Sequence, residues 1–226
     1  METCENMKSD MSIKAIECFS TYQGEGLFSG KRVVLIRFKE CNRDCWYCDT
    51  KNKMKYYEEG EYKLEDIQKL IDVECANLLI TGGEVTFDKN FHQTILLSNK
   101  LKYSEMYIET NGYKLEELYQ YVKNNKNIYF VYSPKIFNDK DLFSDPTDVF
   151  MNLIGRNLII KVLYDGTNPF VEKYLNKITK YRDSVYLQPM GSTKEDIIKN
   201  MKVVLEAADK YKFNISSRLH LIHDFR

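Results

Sequence analysis

Three cysteines within eight residues are the feature of this sequence with the clearest chemistry. Cys41, Cys45 and Cys48 are separated by three and then two residues. Three thiolates with this spacing can bind three irons of a cubic iron–sulfur cluster and leave the fourth iron without a protein ligand. Because chemistry takes place at an open coordination position, the loop predicts a reactive cluster rather than an electron store.

A structural zinc ion is the alternative occupant of these thiols. Structural zinc normally takes four ligands, supplied as two close pairs of Cys or His. The nearest other cysteines, Cys18 and Cys75, are distant from the three in sequence, and no histidine lies between them. The spacing therefore favours an open iron–sulfur cluster over zinc. A ferredoxin-like electron carrier is disfavoured because its cluster needs a fourth thiolate.

The bulk composition predicts one globular domain over residues 1–226, with 1–12 as a loose arm. The chain has 226 residues, 43% of them hydrophobic, and its 33 basic residues balance its 33 acidic ones. This balance predicts no nucleic-acid partner. No apolar run approaches the roughly 20 residues that cross a bilayer, and a signal sequence is lacking, so we expect a cytoplasmic protein without a membrane partner. Cys4, Cys18 and Cys75 are expected to be buried small side chains or bystanders.

Apolar runs of strand length alternate with amphipathic segments along most of the chain. This alternation predicts a parallel sheet with right-handed crossovers. Strands are predicted at 33–38, 77–81, 106–109, 128–132, 158–163, 185–188 and 215–219, with a further strand at 13–19. Helices are predicted at 64–71, 91–101, 115–122, 170–178 and 197–208. A turn is expected around Gly60, a surface loop at 138–146, and a helix cap at Thr193.

Polar motifs follow these strands, and in parallel α/β folds such positions converge on the rim that binds ligands. The motifs are 81–84 (Thr-Gly-Gly-Glu), 109–112 (Glu-Thr-Asn-Gly), 133–135 (Ser-Pro-Lys), 188–191 (Gln-Pro-Met-Gly) and 218–220 (Arg-Leu-His). Glycines let a backbone approach a ligand, and Glu84 is an acceptor suited to an ammonium group. The Asn111-Gly112 pair is by itself a turn signal.

Several basic residues at or near strand ends have more than one interpretation. Arg37 and Lys135 are suited to binding a carboxylate, but isolated basic residues at strand ends are often surface groups. His220 could be a ligand, an acid–base group or a hydrogen-bonded core histidine. His92 and His223 are given no role.

The motifs in order resemble the radical S-adenosylmethionine superfamily and, within it, the 7-carboxy-7-deazaguanine synthase family. The superfamily resemblance rests on the cysteine spacing, on Tyr47 directly before the last cysteine and on the Gly-Gly-Glu of 82–84. The family resemblance extends from Ile13 onward. Its most specific segments are 23–26 (Gln-Gly-Glu-Gly), 48–50 (Cys-Asp-Thr) and 133–135 (Ser-Pro-Lys).

This resemblance implies an α/β fold, an incomplete (partial TIM-like) parallel β/α barrel of the radical SAM type, assembled as a homodimer. It implies a lyase that converts 6-carboxy-5,6,7,8-tetrahydropterin to 7-carboxy-7-deazaguanine with loss of ammonia, a step in queuosine and related 7-deazapurine biosynthesis. A 4Fe–4S cluster on Cys41, Cys45 and Cys48 would bind S-adenosylmethionine at its open iron and cleave it to a 5'-deoxyadenosyl radical. The electron would come from a donor such as flavodoxin or ferredoxin.

The resemblance also assigns ligand contacts. S-adenosylmethionine would contact Tyr47, Asp49, Gly83, Glu84, Ser133, Pro134, Lys135, Gln188, Pro189, Met190 and Gly191. The pterin would contact Tyr22, Gln23, Gly24, Glu25, Arg37, Thr81 and, through the chain terminus, Arg226. Thr50 resembles the family's magnesium ligand, and Mg²⁺ prefers such oxygen-rich, partly hydrated shells.

Two other functions share part of this pattern. An activase of a glycyl-radical enzyme has the same cysteine spacing and Gly-Gly-Glu, but it has no need of the Gln-Gly-Glu-Gly of 23–26 or of a Thr50 magnesium site. A zinc-stabilised interaction module would use the thiols without chemistry. Iron and sulfide content separates the module from both enzymes.

Overall fold

The computed structural model describes residues 11–48, 50–51 and 57–225. It contains two compact units, one formed by the chain up to Gln23 together with Lys31–Tyr129, the other by Gly24–Gly30 and the chain from Phe130 onward. Asp49, Arg226, Cys4 and most of the expected arm lie outside the described residues. A single domain over the whole chain stays a prediction.

In its described residues, the first unit is built on four neighbouring strands of a sheet and on helices that follow them in the chain. In sheet order these strands are β6, β5, β3 and β2, with β2 antiparallel to β3 and the others parallel. A separate antiparallel pair is formed by β1 and β4. The elements are β1 (Ser12–Ala15), β2 (Glu17–Tyr22), β3 (Arg32–Phe38), β4 (Gly60–Lys63), α1 (Leu64–Glu74), β5 (Asn77–Gly82), α2 (Lys89–Lys100), β6 (Met106–Thr110) and α3 (Leu115–Val122).

The apolar runs of this unit are strands because both of their faces are covered. Consecutive residues of β3 and β5 are buried, including Val33, Val34, Leu78 and Leu79. Burial of successive side chains, which point to opposite faces, is typical of parallel strands between helix layers. The β3–β5 register runs from Val33 opposite Asn77 to Phe38 opposite Gly82, so both strands end together.

The second unit repeats the parallel pattern. Its strands lie in the order β7, β8, β9 and β10, each parallel to its neighbour. The elements are β7 (Ile128–Tyr132), α4 (Asp139–Phe143), α5 (Thr147–Ile154), β8 (Leu158–Tyr164), α6 (Pro169–Lys177), β9 (Val185–Pro189), α7 (Lys194–Tyr211), β10 (Asn214–Ile215) and α8 (Leu219–Ile222). The first two residues of β7 belong to the first unit.

The expected cap of α7 is confirmed, since the Thr193 hydroxyl accepts a 3.2 Å hydrogen bond from the Asp196 N–H. Asp196 is acidic and lies in the first turn, where the positive end of the helix dipole favours it. Within the described residues, no helix has the length and apolar character needed to cross a membrane.

Four local predictions are wrong. The strand predicted at 215–219 is a two-residue strand followed by α8, so Arg218 and His220 flank or lie in a helix rather than a strand. The loop expected at 138–146 contains α4, capped by the Asn138 side chain. Gly60 begins β4 instead of a turn, and the run 13–19 is two strands, β1 and β2.

A buried carboxylate fixes the start of α5 in the second unit. The Asp145 side chain has no exposed surface, and Lys177 reaches it from α6 at 3.1 Å. The Tyr132 hydroxyl donates to Asp145 at 2.8 Å, and both the N–H and the hydroxyl of Thr147 donate to it at 3.2 and 3.0 Å. Removing an acceptor shared by several buried donors is costly because each donor loses its partner.

We expect Asp145→Ala to lower the free energy of unfolding by about 3 kcal/mol, measured by urea denaturation. Asp139→Ala is the matched control because the Asp139–Lys173 pair is more than half exposed on both sides. An exposed pair contributes less than about 1 kcal/mol. Equal losses in the two variants would contradict the role given to the buried network.

Candidate active site

The cysteine loop follows β3, and backbone N–H groups donate to two of its sulfurs. The Arg43 N–H donates to Cys41 Sγ at 3.4 Å, and the Lys51 N–H donates to Cys48 Sγ at 3.3 Å. Cys45 is buried, and its carbonyl accepts from the Cys48 N–H at 3.1 Å. Among the described residues, no three His, Cys, Asp or Glu side chains meet closely enough to hold a single metal ion.

These sulfur contacts fit the chemistry of a cluster ligand. Cluster iron binds the thiolate, and N–H donors stabilise the negative sulfur. Burial is the main cause that raises the pKa of the Cys41 thiol, and the neighbouring Cys45 and Cys48 add to it. Iron binding must therefore displace this proton, as metal binding to cysteine generally does. Tyr47 packs edge-on against Trp46, whose side chain is exposed.

Two glycines bring the end of β5 against the start of the cysteine loop. The Gly83 N–H donates to the Phe38 carbonyl and the Glu84 N–H donates to the Glu40 carbonyl, both at 2.8 Å. A Cβ atom on Gly83 would lie 2.0 Å from the Glu40 oxygen, and one on Gly82, at φ +111°, would lie 2.2 Å from the Phe38 oxygen. Only glycine allows this approach, so this pair is more than a turn signal.

The Glu84 carboxylate is fully buried beneath this contact. It accepts hydrogen bonds from the Thr86 and Thr110 hydroxyls, at 2.7 and 2.6 Å, and from the Asn111 N–H at 2.6 Å. Burial raises the pKa of Glu84, and these hydrogen bonds oppose the shift. The structure thus gives this carboxylate a local role, while its contact with the ammonium of S-adenosylmethionine stays a prediction.

A polar cluster in the first unit contains three of the predicted pterin residues. Glu109 joins two of them, accepting from Gln23 Nε2 at 3.1 Å and from the Thr81 hydroxyl at 3.2 Å. Arg37 lies directly opposite Thr81 in the β3–β5 register. Parallel register partners point to the same face, so these side chains belong to one polar surface.

Arg37 is held by an ion pair and is close to the predicted magnesium ligand. Its Nε donates to Glu17 at 2.8 Å, and its Nη1 donates to the Thr50 hydroxyl at 3.3 Å. Glu17 is 3% exposed, so this pair is largely removed from solvent. Tyr22, by contrast, pairs with Arg32 at the opposite end of β3. Its half-exposed ring lies over the Arg32 guanidinium, so the structure does not bring Tyr22 to Arg37.

In the second unit, Glu25 is clamped by two buried cations. Lys161 Nζ lies 2.5 Å from one carboxylate oxygen and Arg218 Nε lies 2.9 Å from the other, with His220 Nε2 at 3.8 Å. The Lys161 and Arg218 side chains are 5% and 7% exposed. Burial opposes ionisation, but the charges of Lys161, Arg218 and His220 together hold the pKa of Glu25 well below its ordinary 4.5.

Gly24 packs closely against His220, beside the Glu25 cluster. A Cβ atom on Gly24 would lie 2.4 Å from His220 Nδ1, and the Gly24 carbonyl accepts from the Leu219 N–H at 3.0 Å. The start of α8 therefore lies against the Gln-Gly-Glu-Gly segment. The sequence left three interpretations of His220 open. The structure places its imidazole beside the Glu25 carboxylate.

The predicted S-adenosylmethionine residues of the second unit lie at two strand ends. After β7, Lys135 Nζ donates to the Ser133 hydroxyl at 2.8 Å, with Pro134 between them. At the end of β9, the buried Gln188 accepts from Ser216 at 2.7 Å and is followed by the buried Pro189. The Met190 carbonyl accepts from Asn200 at 2.7 Å, and the Gly191 carbonyl accepts from Arg218. Asp49 and Arg226, predicted for S-adenosylmethionine and pterin, lie outside the described residues.

Sequence reasoning gave no individual role to Glu17, Glu109, Lys161 or Asn111, although each contacts a predicted site residue. Lys161 had a signal, because it is a single charge inside the apolar run 158–163. A charge at such a position is normally paired. Glu109 and Asn111 had only their place at a strand end, and Glu17 had none that distinguishes it.

The profile of the Radical SAM superfamily matches residues 35–184, about two thirds of the chain. The chain belongs to this superfamily, and membership implies a 4Fe–4S cluster and S-adenosylmethionine. Similar relatives include 7-carboxy-7-deazaguanine synthase of Hyperthermus butylicus, 25% identical over 93% of this chain and 92% of the relative. The enzyme of the same name from Clostridium acetobutylicum is 27% identical over 80% of this chain and 82% of the relative.

Among solved structures, QueE from Escherichia coli is similar with a TM-score of 0.58 and 20% identity, covering 97% of this chain and 100% of QueE. At this identity the likeness shows the fold. The predicted fold class, a partial parallel β/α barrel of the radical SAM type, is confirmed.

The Glu25 cluster makes a pH-dependent contribution to stability. A carboxyl pKa that is lowered on folding stabilises the protein above the unfolded value of 4.5, and the contribution is lost as pH falls from there through the folded pKa. Glu25→Gln leaves Lys161 and Arg218 buried without their counter-ion. We expect it to lower the free energy of unfolding by about 3 kcal/mol near neutral pH.

Urea denaturation at several pH values from about 7 down to about 3 tests this expectation. The difference between the native chain and Glu25→Gln should persist above pH 4.5 and shrink below it. Glu206→Gln, on an exposed position of α7, is the control and should change stability little at any pH. A Glu25→Gln deficit that stays the same at the lowest pH would contradict the clamp.

Proposed function

We propose that this chain is a radical SAM lyase that converts 6-carboxy-5,6,7,8-tetrahydropterin to 7-carboxy-7-deazaguanine and ammonia, in queuosine and related 7-deazapurine biosynthesis. The observation that carries the proposal is the glycine-dependent contact between the cysteine loop and the end of β5. In this contact, the backbone just before Cys41 lies against Gly83 and Glu84 at the end of β5, where ligand-binding residues are expected. Relatives named 7-carboxy-7-deazaguanine synthase that match nearly the whole chain support the choice of reaction.

Cys41, Cys45 and Cys48 would hold the 4Fe–4S cluster. When bound and reduced, the cluster supplies the electron that cleaves S-adenosylmethionine. In the first unit, Tyr47, Asp49, Gly83 and Glu84 are the proposed contacts of S-adenosylmethionine. In the second unit, they are Ser133, Pro134, Lys135 and the segment 188–191. The carbonyls of Met190 and Gly191 are held by Asn200 and Arg218, which fixes the backbone at the end of β9.

The polar cluster of the first unit suits a carboxypterin. Such a substrate has an amino group, ring N–H groups and one ring carbonyl oxygen, as well as a carboxylate. Glu109 is an acceptor for ring N–H groups, while the Gln23 amide and the Thr81 hydroxyl can both donate and accept. Glu109 also orients Gln23 and Thr81, because it accepts a hydrogen bond from each.

Arg37 is proposed to bind the substrate carboxylate. Its guanidinium is oriented by Glu17, so its planar fork is arranged before any ligand arrives. Because Thr50 lies beside Arg37, a carboxylate bound there would meet the Thr50 oxygen as well. Thr50 is therefore proposed as the protein ligand of a Mg²⁺ ion whose other ligands are substrate and water.

In the second unit, Gly24 and Glu25 are proposed to contact the pterin. The clamp by Lys161 and Arg218 keeps the Glu25 carboxylate ionised, so it can accept hydrogen bonds from ring nitrogens. Tyr22 and Arg226 are also in the proposed substrate set; Tyr22 pairs with Arg32, at the other end of β3 from Arg37. A homodimer, an electron donor such as flavodoxin or ferredoxin, and a cytoplasmic location complete the proposal.

The reaction is tested by supplying anaerobically reconstituted, reduced protein with S-adenosylmethionine, Mg²⁺ and 6-carboxy-5,6,7,8-tetrahydropterin. Mass spectrometry should detect 7-carboxy-7-deazaguanine. Cys45→Ser should abolish the product, since it removes a cluster ligand, whereas Cys75→Ser, at an exposed position in the first unit, should retain it. Release of 5'-deoxyadenosine without the deazaguanine would reject the substrate and leave the superfamily assignment intact.

Thr50→Ala should lower turnover roughly tenfold, the size typical of losing a group that orients a metal site, and should flatten the dependence of rate on Mg²⁺ concentration. Its iron content and cluster spectrum should not change. Thr50→Ser, which retains the hydroxyl, should recover most of the magnesium response. An alanine variant with the native magnesium response would remove Thr50 from the proposed site.

A further inference from the structure

Asn111, the first residue after β6, contacts the cysteine loop with its side chain. Its Nδ2 lies 3.9 Å from Cys41 Sγ and donates to Asn42 Oδ1 at 2.8 Å. An amide NH2 has two hydrogens, so one can point to Asn42 while the other points to the sulfur. Cys41 therefore has a second N–H neighbour besides the Arg43 backbone.

The orientation of this amide is fixed from the other side. Asn111 Oδ1 accepts from the Tyr113 N–H at 3.1 Å, which leaves the NH2 group facing the loop. The backbone is fixed too, because the Asn111 N–H donates to the buried Glu84 carboxylate at 2.6 Å. Changing the side chain leaves this backbone anchor in place, so the amide can be tested separately from the fold.

We infer that Asn111 is a positioning residue that raises the reduction potential of the cluster bound through Cys41. Reduction adds negative charge, part of which resides on the sulfur ligands, and an N–H dipole aimed at a sulfur stabilises the reduced form more than the oxidised form. The inference rests on the cluster of the proposed function and is independent of the pterin. From sequence, Asn111 was expected only as part of the rim motif 109–112 and of a turn with Gly112.

Two variants separate the donor from the rest of the side chain. Asn111→Asp keeps an oxygen for the Tyr113 N–H but loses the NH2 and adds a negative charge. Asn111→Leu loses the donor without adding charge. Both should lower the potential, Asp more than Leu, because the added charge also opposes reduction.

The measurement is a redox titration of the reconstituted protein, followed by the EPR signal of the reduced cluster, with iron and sulfide assayed on each sample. For Asn111→Leu we expect the ratio of reduced to oxidised cluster at a fixed solution potential to fall roughly tenfold, which is 59 mV for a one-electron couple. Asn125→Asp is the control. Asn125 makes the same kind of turn, accepting from the Asn127 N–H at 3.2 Å, and interacts with Tyr103 rather than a cysteine.

A native potential in Asn111→Leu at full iron content would overturn the inference. If that variant lost its iron, a native potential in Asn111→Asp would likewise overturn the inference, and loss of iron from both would show a role in cluster assembly and also overturn it. An unchanged potential with 7-carboxy-7-deazaguanine still formed refutes this inference alone. A shifted potential without that product refutes only the proposed substrate.

Discussion

The buried carboxylate of Glu84 is the constraint on which the first unit's candidate site depends. It accepts hydrogen bonds from Thr86, Thr110 and Asn111, so it ties the end of β5 to the end of β6. The backbone N–H of Glu84 donates to the carbonyl of Glu40, the residue directly before the first cysteine. Burying a carboxylate is costly unless donors surround it, and this one has several. The cysteine loop is consequently fixed to the ends of β5 and β6. Ligands bound by the loop and by these strand ends would therefore keep fixed positions relative to one another.

Charged side chains of the candidate site residues are held in place by ion pairs before any ligand is bound. Glu17 orients Arg37, and Lys161 and Arg218 fix both oxygens of Glu25. Buried ion pairs add little net stability compared with apolar packing, but losing one partner leaves a costly unpaired charge. Their value is in geometry, since a group already held in place loses less freedom when it binds a substrate.

The sequence predicted the parts of this architecture that depend on local pattern. The Cys41–Cys45–Cys48 spacing favoured an open iron–sulfur cluster, and together with Tyr47 and the Gly-Gly-Glu of 82–84 it indicated the superfamily. Buried apolar runs such as 77–80 predicted strands whose ends carry polar motifs. The predicted strand at 215–219 was wrong because a short run does not distinguish strand from helix. There, Ser216 instead bonds the Gly26 N–H and Gln188, and the chain turns into α8. Contacts such as Glu109 with Gln23 join residues distant in sequence, and no local pattern encodes them.

We expect Cys41, Cys45 and Cys48 to hold a cluster with one open iron, to which S-adenosylmethionine binds. The most direct test is iron and sulfide analysis of the anaerobically reconstituted protein, followed by EPR of the reduced form with and without S-adenosylmethionine. We expect about four iron and four sulfide per chain, and a spectrum that changes when S-adenosylmethionine is added. A colourless protein with one zinc and no sulfide, or a cluster spectrum that S-adenosylmethionine leaves unchanged, would contradict it.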